Sequence, residues 1–308
     1  TFTSLPIYEN PDLSDTNDMS CLFYGLGSDG TVSANKSSVK IIGDMTNKYV
    51  QAYFAYDSKK AGGITRSHLR FSNYPIRSTY LVKNPNFVSC SNFTFIRKYE
   101  VLEGLKENGI FLLNTMYDEE KLLELLPKKV KRQLAISNAR FYIINANKLA
   151  YEEKMMDKIN TIMQTAFFRI SNIVDFEDAK NRIKEYVYKN YGLKGDDVVE
   201  KNNRVIDLTE MYIQEIYVNP EWKILVDEDE YLTLDYGNSL DKNSFMAKIS
   251  EPITALKGDK LPVSIFDGFE DGTFENGEAE YEKRAIAKFI PEWRPEHCIQ
   301  CNQCSYVC

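Results

Sequence analysis

The 308-residue sequence lacks several features that would assign it to a broad class at once. It has no excess of positive charge, because 38 Lys and Arg stand against 45 Asp and Glu for a formal net charge of -7, and no long basic run departs from that balance. This charge argues against a nucleic-acid-binding surface. No apolar stretch reaches the ~20 residues that span a bilayer, so no membrane segment is expected. Internal repeats and low-complexity segments are also absent.

The first residues carry no targeting signal. Residues 1–18 are polar and acidic, unlike a signal or transit peptide, and are predicted to be a linker. The sequence does not begin with methionine, which is expected of a piece of a longer protein. Apolar residues nevertheless make up 43% of the chain, with 20 Tyr and 17 Phe, which is enough for a hydrophobic core. The length suggests about two domains.

Cysteine is concentrated in one short run. Four of the six cysteines close the sequence at spacing C-x2-C-x2-C-x3-C, namely Cys298, Cys301, Cys304 and Cys308. The first three suit one corner of a [4Fe–4S] cluster held by a tight loop, and in the bacterial run of this spacing the fourth cysteine ligates a second cluster. We therefore predict that the first three cysteines ligate one cluster and that Cys308 ligates another.

Zinc and disulfide bonds are the alternatives for this run. Structural zinc sites usually draw two C-x2-C pairs from separate turns, which three consecutive C-x2-C steps fit poorly. Disulfides belong to oxidising compartments and small scaffolds, and this chain is long and shows no secretory signal. Cys21 and Cys90 stand alone in apolar surroundings, and we expect them to be buried structural thiols.

A glycine-rich turn follows the first predicted strand. Gly25, Gly27 and Gly30 satisfy G-x-G-x-x-G, between an apolar run at 19–24 and a predicted helix at 31–42. Glycines permit a tight turn, and the free N–H groups of a helix N-terminus attract an anion. Lys36, in the second helical turn, can lean back toward that end because helical side chains point N-terminally.

Two kinds of ligand remain open for this turn. A nicotinamide dinucleotide would place a ribose on Asp57, after the predicted strand 49–56, but Asp29 puts a carboxylate inside the turn. Lys59 and Lys60 follow Asp57 at once, which suits a ligand with several phosphates better. An ordinary strand-to-helix turn with solvated lysines is the remaining alternative.

The rest of the chain alternates strand and helix patterns and predicts an α/β layer. Arg66, His68 and Arg70 fall on one face of the next strand, where His68 contacts either a ligand or only neighbouring side chains. Further strands are predicted at 64–71, 75–82, 86–90, 109–114 and 140–144. Further helices are predicted at 99–107, 119–126, 154–170, 175–191 and 197–217.

Residues 226–290 have little apolar periodicity. The stretch 226–250 is acidic, and 256–266 reads as extended, so the whole region is predicted to be an extended connector that delivers the cysteine run. Trp293 and Pro295 either pack against a cluster domain or stiffen the chain before the cysteines.

Several longer strings together resemble pyruvate:ferredoxin oxidoreductase, a multidomain family of 2-oxoacid oxidoreductases. The strings cover nearly the whole chain apart from its first residues and 226–250, and they are far more specific than the glycine triplet alone. They lie at 25–36, 56–65, 67–71, 75–80, 256–264, 281–284 and 291–308.

The resemblance implies a domain order. Residues 19–225 resemble the gamma-type α/β domain that is linked in the family to coenzyme A, and 226–290 resemble its small connecting domain. Residues 291–308 resemble the opening of a ferredoxin-type domain with two [4Fe–4S] clusters, here truncated. The proline that follows the fourth cysteine in the family, and the second cysteine run, are missing from this sequence.

The resemblance also implies an activity. In the family, thiamine diphosphate with Mg²⁺ attacks pyruvate, carbon dioxide leaves, electrons pass through [4Fe–4S] clusters to ferredoxin or flavodoxin, and coenzyme A takes the acetyl group. The thiamine-binding domains are absent, so the chain alone is not expected to be active. The implied partners are the remaining domains of the parent enzyme, ferredoxin or flavodoxin, and a second copy in a homodimer. The implied location is the cytoplasm, or a hydrogenosome-type organelle in a eukaryote.

The residue pattern and the resemblance agree on coenzyme A, which carries a pyrophosphate and a 3′-phosphate. Ser28, Asn35 and Lys36 are the main predicted contacts. The full predicted set is Gly27, Ser28, Gly30, Thr31, Asn35, Lys36, Lys59 and Lys60. Three alternatives stay open: electron delivery to NADP through a fused reductase, a nicotinamide-dependent dehydrogenase with a cysteine tail, and a non-catalytic scaffold with a zinc tail.

Overall fold

A seven-stranded mixed sheet organises the described part of the chain. The computed structural model describes residues 18–57, 62–156, 158–226, 244–277 and 291–307. The strand order is β2-β3-β1-β4-β5-β6-β7. The strands are β1 (Met19–Leu26), β2 (Tyr49–Tyr56), β3 (Ile64–Ser72), β4 (Phe87–Cys90), β5 (Ile110–Asn114), β6 (Arg140–Ile144) and β7 (Ile213–Ile216).

The strand directions divide the sheet into a parallel centre and antiparallel margins. Strands β1, β4, β5 and β6 are parallel, whereas β3 is antiparallel to both β1 and β2, and β7 is antiparallel to β6. Strand β2 therefore runs in the direction of β1, with β3 inserted between them. The central strands are almost wholly buried, as expected for parallel strands covered on both faces.

Helices cover both faces of the sheet and enclose two cores. One face carries Phe23, Phe87 and Phe167, and Phe167 meets the other two rings edge-on at 5.2 and 5.0 Å between centroids. On the other face Phe111 stacks on Phe141. The helices of this domain are α1 (Thr31–Met45), α2 (Phe95–Lys98), α3 (Glu119–Leu125), α4 (Lys128–Ile136), α5 (Ala146–Glu152), α6 (Asn160–Ser171), α7 (Phe176–Tyr191) and α8 (Asp196–Leu208).

Local sequence signals set several helix boundaries as predicted. Pro127 separates α3 from α4, and the Asp175 carboxylate accepts a hydrogen bond from the Asp178 amide at the start of α7. Cys21 and Cys90 are fully buried, which confirms the prediction of structural thiols. The sheet and its helices lie within the predicted domain 19–225, and the domain boundaries themselves stay predictions.

Two segments that were predicted as regular elements are irregular. Residues 75–82 form no strand, because side chains of the sheet hold this segment instead: Gln51 Nε2 donates to Ser78 O at 2.7 Å, and the Arg70 guanidinium lies over the Tyr80 ring. The predicted helix at 99–107 is a series of turns. Gly104 has a φ of +73°, and a Cβ atom there would lie 2.0 Å from Lys83 O.

Three further predictions were right in part. The helix predicted at 197–217 ends at Leu208, and Ile213–Ile216 instead pair with the open edge of β6. The helix predicted from 154 begins at Asn160, because Lys154 and Met156 adopt left-handed conformations. Residues 256–266 are not extended but contain short helical turns. None of the described helices is long and apolar enough to cross a membrane.

Candidate functional site

The carboxyl ends of β1 and β4 form a topological switch point. Strand β1 leads through α1 to β2 on one side, whereas β4 leads through α2 to β5 on the other side. Open α/β sheets bind their ligands in the crevice outside such a pair of strands. The predicted glycine turn follows β1 at this point, so the fold places the turn where a ligand is expected.

The Asp29 carboxylate joins the loops that follow the two strands. Its oxygens accept hydrogen bonds from Leu26 N at 2.8 Å and Thr31 N at 2.7 Å, and from Ser91 Oγ at 3.1 Å. Ser91 follows β4, and its amide donates to Tyr24 O in β1. The backbone amide of Thr31, the first of α1, thus already donates its hydrogen bond to the Asp29 carboxylate. The sequence pattern drew attention to Asp29 only as an obstacle to phosphate, and it gave no signal for Ser91.

The glycines of the turn allow close packing around the start of α1. A Cβ atom at Gly25 would lie 2.6 Å from Thr31 Cβ and 2.7 Å from Thr65 Oγ1. Gly30 has a φ of +87°, and a Cβ atom there would lie 2.9 Å from Asn160 Cγ at the start of α6. These two glycines therefore serve helix packing, and contact with a ligand is not needed to explain them.

A small cleft, partly open to solvent, lies beside this turn. Its polar lining includes Thr31, Asn35, Ser91, Asn160 and Gln164. Asn35 is 4% exposed, and its Nδ2 atom has no hydrogen-bond partner among the described residues. Hydrogen-bond donors left unpaired in a buried position are costly, so this amide is suited to a water molecule or to an acceptor group of a ligand.

The predicted contact residues are not all in one place. Ser28 is exposed and adopts a left-handed conformation with a φ of 76°, whereas Asn35 lies beneath the first turns of α1. Lys36 is exposed, with its ammonium 5.3 Å from the centroid of the Phe54 ring on β2. Lys59 and Lys60 lie outside the described residues.

The hairpin between β2 and β3 is tied to the glycine turn. Gly27 N donates to Gly63 O at 2.7 Å, and Asp57 N donates to Ile64 O at 3.1 Å. Because β2 runs in the direction of β1, this hairpin lies at the same edge of the sheet as the turn. The two lysines predicted as phosphate contacts occur in the connection between Asp57 and Gly63.

The other conspicuous polar group is the basic face of β3. Arg66, His68 and Arg70 alternate along the strand as predicted, and burial together with the nearby Arg66 lowers the pKa of His68 to about 4. Arg70 Nη1 donates to Gln51 Oε1 at 2.8 Å. The Arg70 contact is structural, whereas both ring nitrogens of His68 are buried without a hydrogen-bond partner among the described residues, so these contacts do not decide between the two interpretations of His68.

The cysteine run has donor groups that fit an iron–sulfur cluster. Cys298, Cys301 and Cys304 are exposed and form no disulfide. Gln300 and Asn302 adopt left-handed conformations on either side of Cys301, which curls the backbone around its thiol. Hydrogen bonds from the Trp293 indole and the Gln300 amide lower the pKa of Cys298. Thiolate is the form that binds iron, so reduced, accessible thiols on a turned loop suit the cluster.

The structure does not gather these thiols around one point. Within the described ranges, no group of three or more His, Cys, Asp or Glu side chains is arranged to hold a metal ion. The thiol groups are therefore suitable ligands for a cluster, although the structure does not arrange them around a metal. Cys308 lies outside the described residues. The assignment of ligands to two clusters stays a prediction.

Comparison with known proteins points to one enzyme family. The family model described as pyruvate ferredoxin/flavodoxin oxidoreductase matches residues 20–210, and a model described as a domain of unknown function matches residues 237–287. Pyruvate:ferredoxin oxidoreductase of Moorella thermoacetica is 46% identical over 308 residues, which are 100% of this chain and 26% of that protein. Pyruvate dehydrogenase (NADP+) of Cryptosporidium parvum is 42% identical over 330 residues, covering 100% of this chain and 17% of that protein.

A solved structure defines the class of fold. The pyruvate oxidoreductase subunit PORC of Thermotoga maritima matches with a TM-score of 0.53 at 22% identity, over 66% of this chain and 100% of that chain. The mixed α/β sheet is thus the gamma-type fold of 2-oxoacid oxidoreductases. The chain belongs to the pyruvate ferredoxin/flavodoxin oxidoreductase family, whose model matches more than half of its residues. It spans 26% of the length of the first curated relatives it matches.

Proposed function

We propose that this chain is the part of a pyruvate:ferredoxin or flavodoxin oxidoreductase that binds coenzyme A and carries the first ligands of its iron–sulfur clusters. The observation that carries the proposal is the 46% identity with the Moorella thermoacetica enzyme over 100% of this chain. The parent enzyme would convert pyruvate and coenzyme A to acetyl-CoA and carbon dioxide, and would pass the electrons to ferredoxin or flavodoxin.

Coenzyme A would bind at the rim of the switch-point crevice. Asp29 already occupies the Thr31 amide, so a phosphate inside the turn would meet a carboxylate at close range. Lys36 on α1 is exposed near the turn and is better placed for a phosphate. Lys59 and Lys60, which follow Asp57 in the sequence, stay predicted phosphate contacts. Ser28, exposed at the tip of the turn, would add a hydroxyl donor.

The reaction would need cofactors that are bound wholly or partly by other domains of the parent enzyme. Thiamine diphosphate with Mg²⁺, bound by other domains of the parent enzyme, would supply the decarboxylation chemistry. In this chain, Cys298, Cys301 and Cys304 would hold one [4Fe–4S] cluster and Cys308 would ligate the second. The hydrogen bond from Trp293 to Cys298 favours the thiolate that a cluster requires.

NADP is a second candidate for the electron acceptor. The observation that favours it is the 42% identity with a protein named pyruvate dehydrogenase (NADP+), again over 100% of this chain. A fused reductase in the parent polypeptide would then replace the soluble electron carrier. Reduction of NADP by the purified full-length enzyme, without added ferredoxin or flavodoxin, would favour this second candidate.

Substitution of Lys36 tests the coenzyme A site in the full-length enzyme. Lys36→Gln removes one cation from the rim, and we expect KM for coenzyme A to rise about threefold to tenfold, as for the loss of a partly screened charge contact with phosphate. The KM for pyruvate should stay unchanged, because pyruvate reacts elsewhere. Steady-state kinetics at varied coenzyme A would measure both values.

A matched control and a second variant make this test decisive. Lys40→Gln removes an exposed cation one helical turn further along α1 and should leave KM for coenzyme A at the wild-type value. The double variant Lys59→Gln/Lys60→Gln should raise it more than Lys36→Gln does. An unchanged KM for coenzyme A in both rim variants would refute the site, and tight NADH binding insensitive to coenzyme A would favour the nicotinamide alternative.

A further inference from the structure

The segment that corresponds to the domain of unknown function packs its own small cluster of side chains. Its described part, residues 244–277, is here called the connecting segment. Phe245 stacks on Phe274 with centroids 4.5 Å apart and meets Phe269 at 5.1 Å. Met246 and Ile249 are buried as well. The segment is therefore more than an extended linker, although it is short of a core that would fix its place by itself.

Two lysines of the connecting segment reach the turns that follow α2. Lys257 Nζ lies 3.3 Å from Glu100 Oε1, and Lys129 Nζ of α4 lies 2.5 Å from the same oxygen. The side chains of Lys257 and Glu100 are only 17% and 19% exposed. A second pair, Lys260 with Glu103, is 3.7 Å apart with both side chains 67% exposed. The two pairs thus differ sharply in burial.

Leu256, which has a left-handed backbone conformation, ends the helix that precedes Lys257. Helix α9 (Glu251–Thr254) ends with Lys257 N donating to Pro252 O at 2.8 Å and Leu256 N donating to Ile253 O at 3.0 Å. This pair of hydrogen bonds is the Schellman motif, whose left-handed position usually holds glycine. Leu256 occupies it with a φ of 63°. Such strain persists only where surrounding contacts hold the backbone in place.

Because it is more buried, the ion pair of Lys257 with Glu100 contributes more to holding the segment than the ion pair of Lys260 with Glu103 does. Burial alone would raise the pKa of Glu100, but Lys129 and Lys257 outweigh it, and the pKa is lowered. A carboxylate in this position needs its cations, since an unpaired buried charge is strongly unfavourable. The exposed pair of Lys260 and Glu103 is screened by water and contributes little.

We propose that the turns at 99–104 are the docking surface for the connecting segment, and that the ion pair between Lys257 and Glu100 is the latch that holds the segment there. Along the chain, this segment lies between the α/β domain and the cysteine run. Fixing it at Glu100 therefore limits where the cysteine run can lie relative to the crevice that would bind coenzyme A. The proposal concerns the domain of unknown function, and it does not depend on the identity of the ligand in that crevice.

Hydrogen exchange of the full-length enzyme, measured by mass spectrometry, tests the latch. In Glu100→Gln, amide exchange in residues 251–260 should rise about tenfold, because the docked segment opens more often. Glu103→Gln is the matched control on the same turns and should change exchange less than twofold. Wild-type exchange at 251–260 in Glu100→Gln would overturn the proposal, as would an equal effect of Glu103→Gln.

A second variant separates docking from general stability. Lys257→Met keeps the aliphatic bulk and removes the ammonium, while Lys129 still pairs with Glu100. The increase in exchange should again appear at 251–260, with strands β1, β4 and β5 unchanged. If exchange instead rose equally throughout the α/β domain, the pair would be a general stabilising contact and the latch would be wrong. This variant also keeps the proposal testable if Glu100→Gln fails to fold.

Discussion

Buried His68 is the residue at which the sequence left two interpretations open. Its position between Arg66 and Arg70 predicted a shared face of β3, and the strand has that face. The strand pattern does not show whether this face contacts a ligand. Alternation indicates on which face of the sheet a side chain lies, but not what packs against that face. The structure covers it with the irregular segment at 75–82, whose backbone is bound by Gln51.

This burial gives a prediction for the acid stability of the α/β domain. His68 has a folded pKa of about 4, against an ordinary value of 6.5, so the folded state holds the neutral imidazole. Its contribution is fully present above pH 6.5 and is lost as the pH falls toward 4, by about 3 kcal/mol at 1.36 kcal/mol per pKa unit.

A His68→Gln variant would isolate this contribution from the carboxyl groups that titrate in the same range. The protection factors of the β3 amides in the full-length enzyme, which correct for the intrinsic slowing of amide exchange at lower pH, should fall more between pH 7 and pH 5 in the wild type than in the variant. Equal pH dependence in the two proteins would contradict the assignment of the acid sensitivity to His68.

At the scale of elements, the tie between the β1 and β4 loops determines the shape of the site. Asp29 accepts from the amides of Leu26 and Thr31 and from the hydroxyl of Ser91. In Asp29→Asn, one acceptor oxygen becomes an NH₂ group that faces existing donors. We expect local stability of β1 and α1 to fall by about 1–3 kcal/mol, the cost of unsatisfied buried donors.

Native-state hydrogen exchange at residues 24–35 of the full-length enzyme would measure this loss. Asp118→Asn is the matched control, because that carboxylate accepts a single amide at the start of α3, and asparagine caps a helix about as well as aspartate does. Loss of stability equal in the two variants would show that Asp29 is an ordinary cap and does not join the loops.

Much of the element order could be predicted from the sequence, and the errors have physical reasons. The runs that became β1, β4, β5 and β6 are buried and apolar, so their own composition marks them. The sequence pattern predicts a helix end where β7 lies, because pairing with the open edge of β6, distant in sequence, makes Ile213–Ile216 extended. The helix predicted at 99–107 fails because Gly104 must approach Lys83, a contact that no local pattern encodes.

The sequence predicted where the candidate site lies better than it predicted which residues contact each other there. The glycine turn, the parallel strands and α1 indicated the crevice, since their order along the chain sets the switch point. The pairing of Asp29 with Ser91 was not predictable, because the two residues are 62 positions apart and meet only through sheet pairing. For the same reason the sequence did not show that Asn35 would be buried while its neighbour Lys36 is exposed.

At the scale of the whole molecule, the chain combines a gamma-type α/β domain, a connecting segment and a cysteine run. The family match covers the first part, at residues 20–210, and 46% identity with a pyruvate:ferredoxin oxidoreductase extends over all three parts. In the proposed function, the cysteine run would carry iron–sulfur clusters that receive electrons from a reaction involving coenzyme A. Cys298, Cys301 and Cys304 have free thiols, and the metal that they bind tests this proposal.

The most direct measurement is the iron, sulfide and zinc content of the full-length enzyme purified without oxygen, beside its Cys301→Ser variant. The account predicts iron and acid-labile sulfide in equal amounts in the wild type, and the loss of about four iron atoms per polypeptide in the variant, as for one [4Fe–4S] cluster. Cys21→Ala, at a buried thiol far from the run in sequence, should keep the full iron content. Zinc without sulfide, or iron unchanged in Cys301→Ser, would contradict the account.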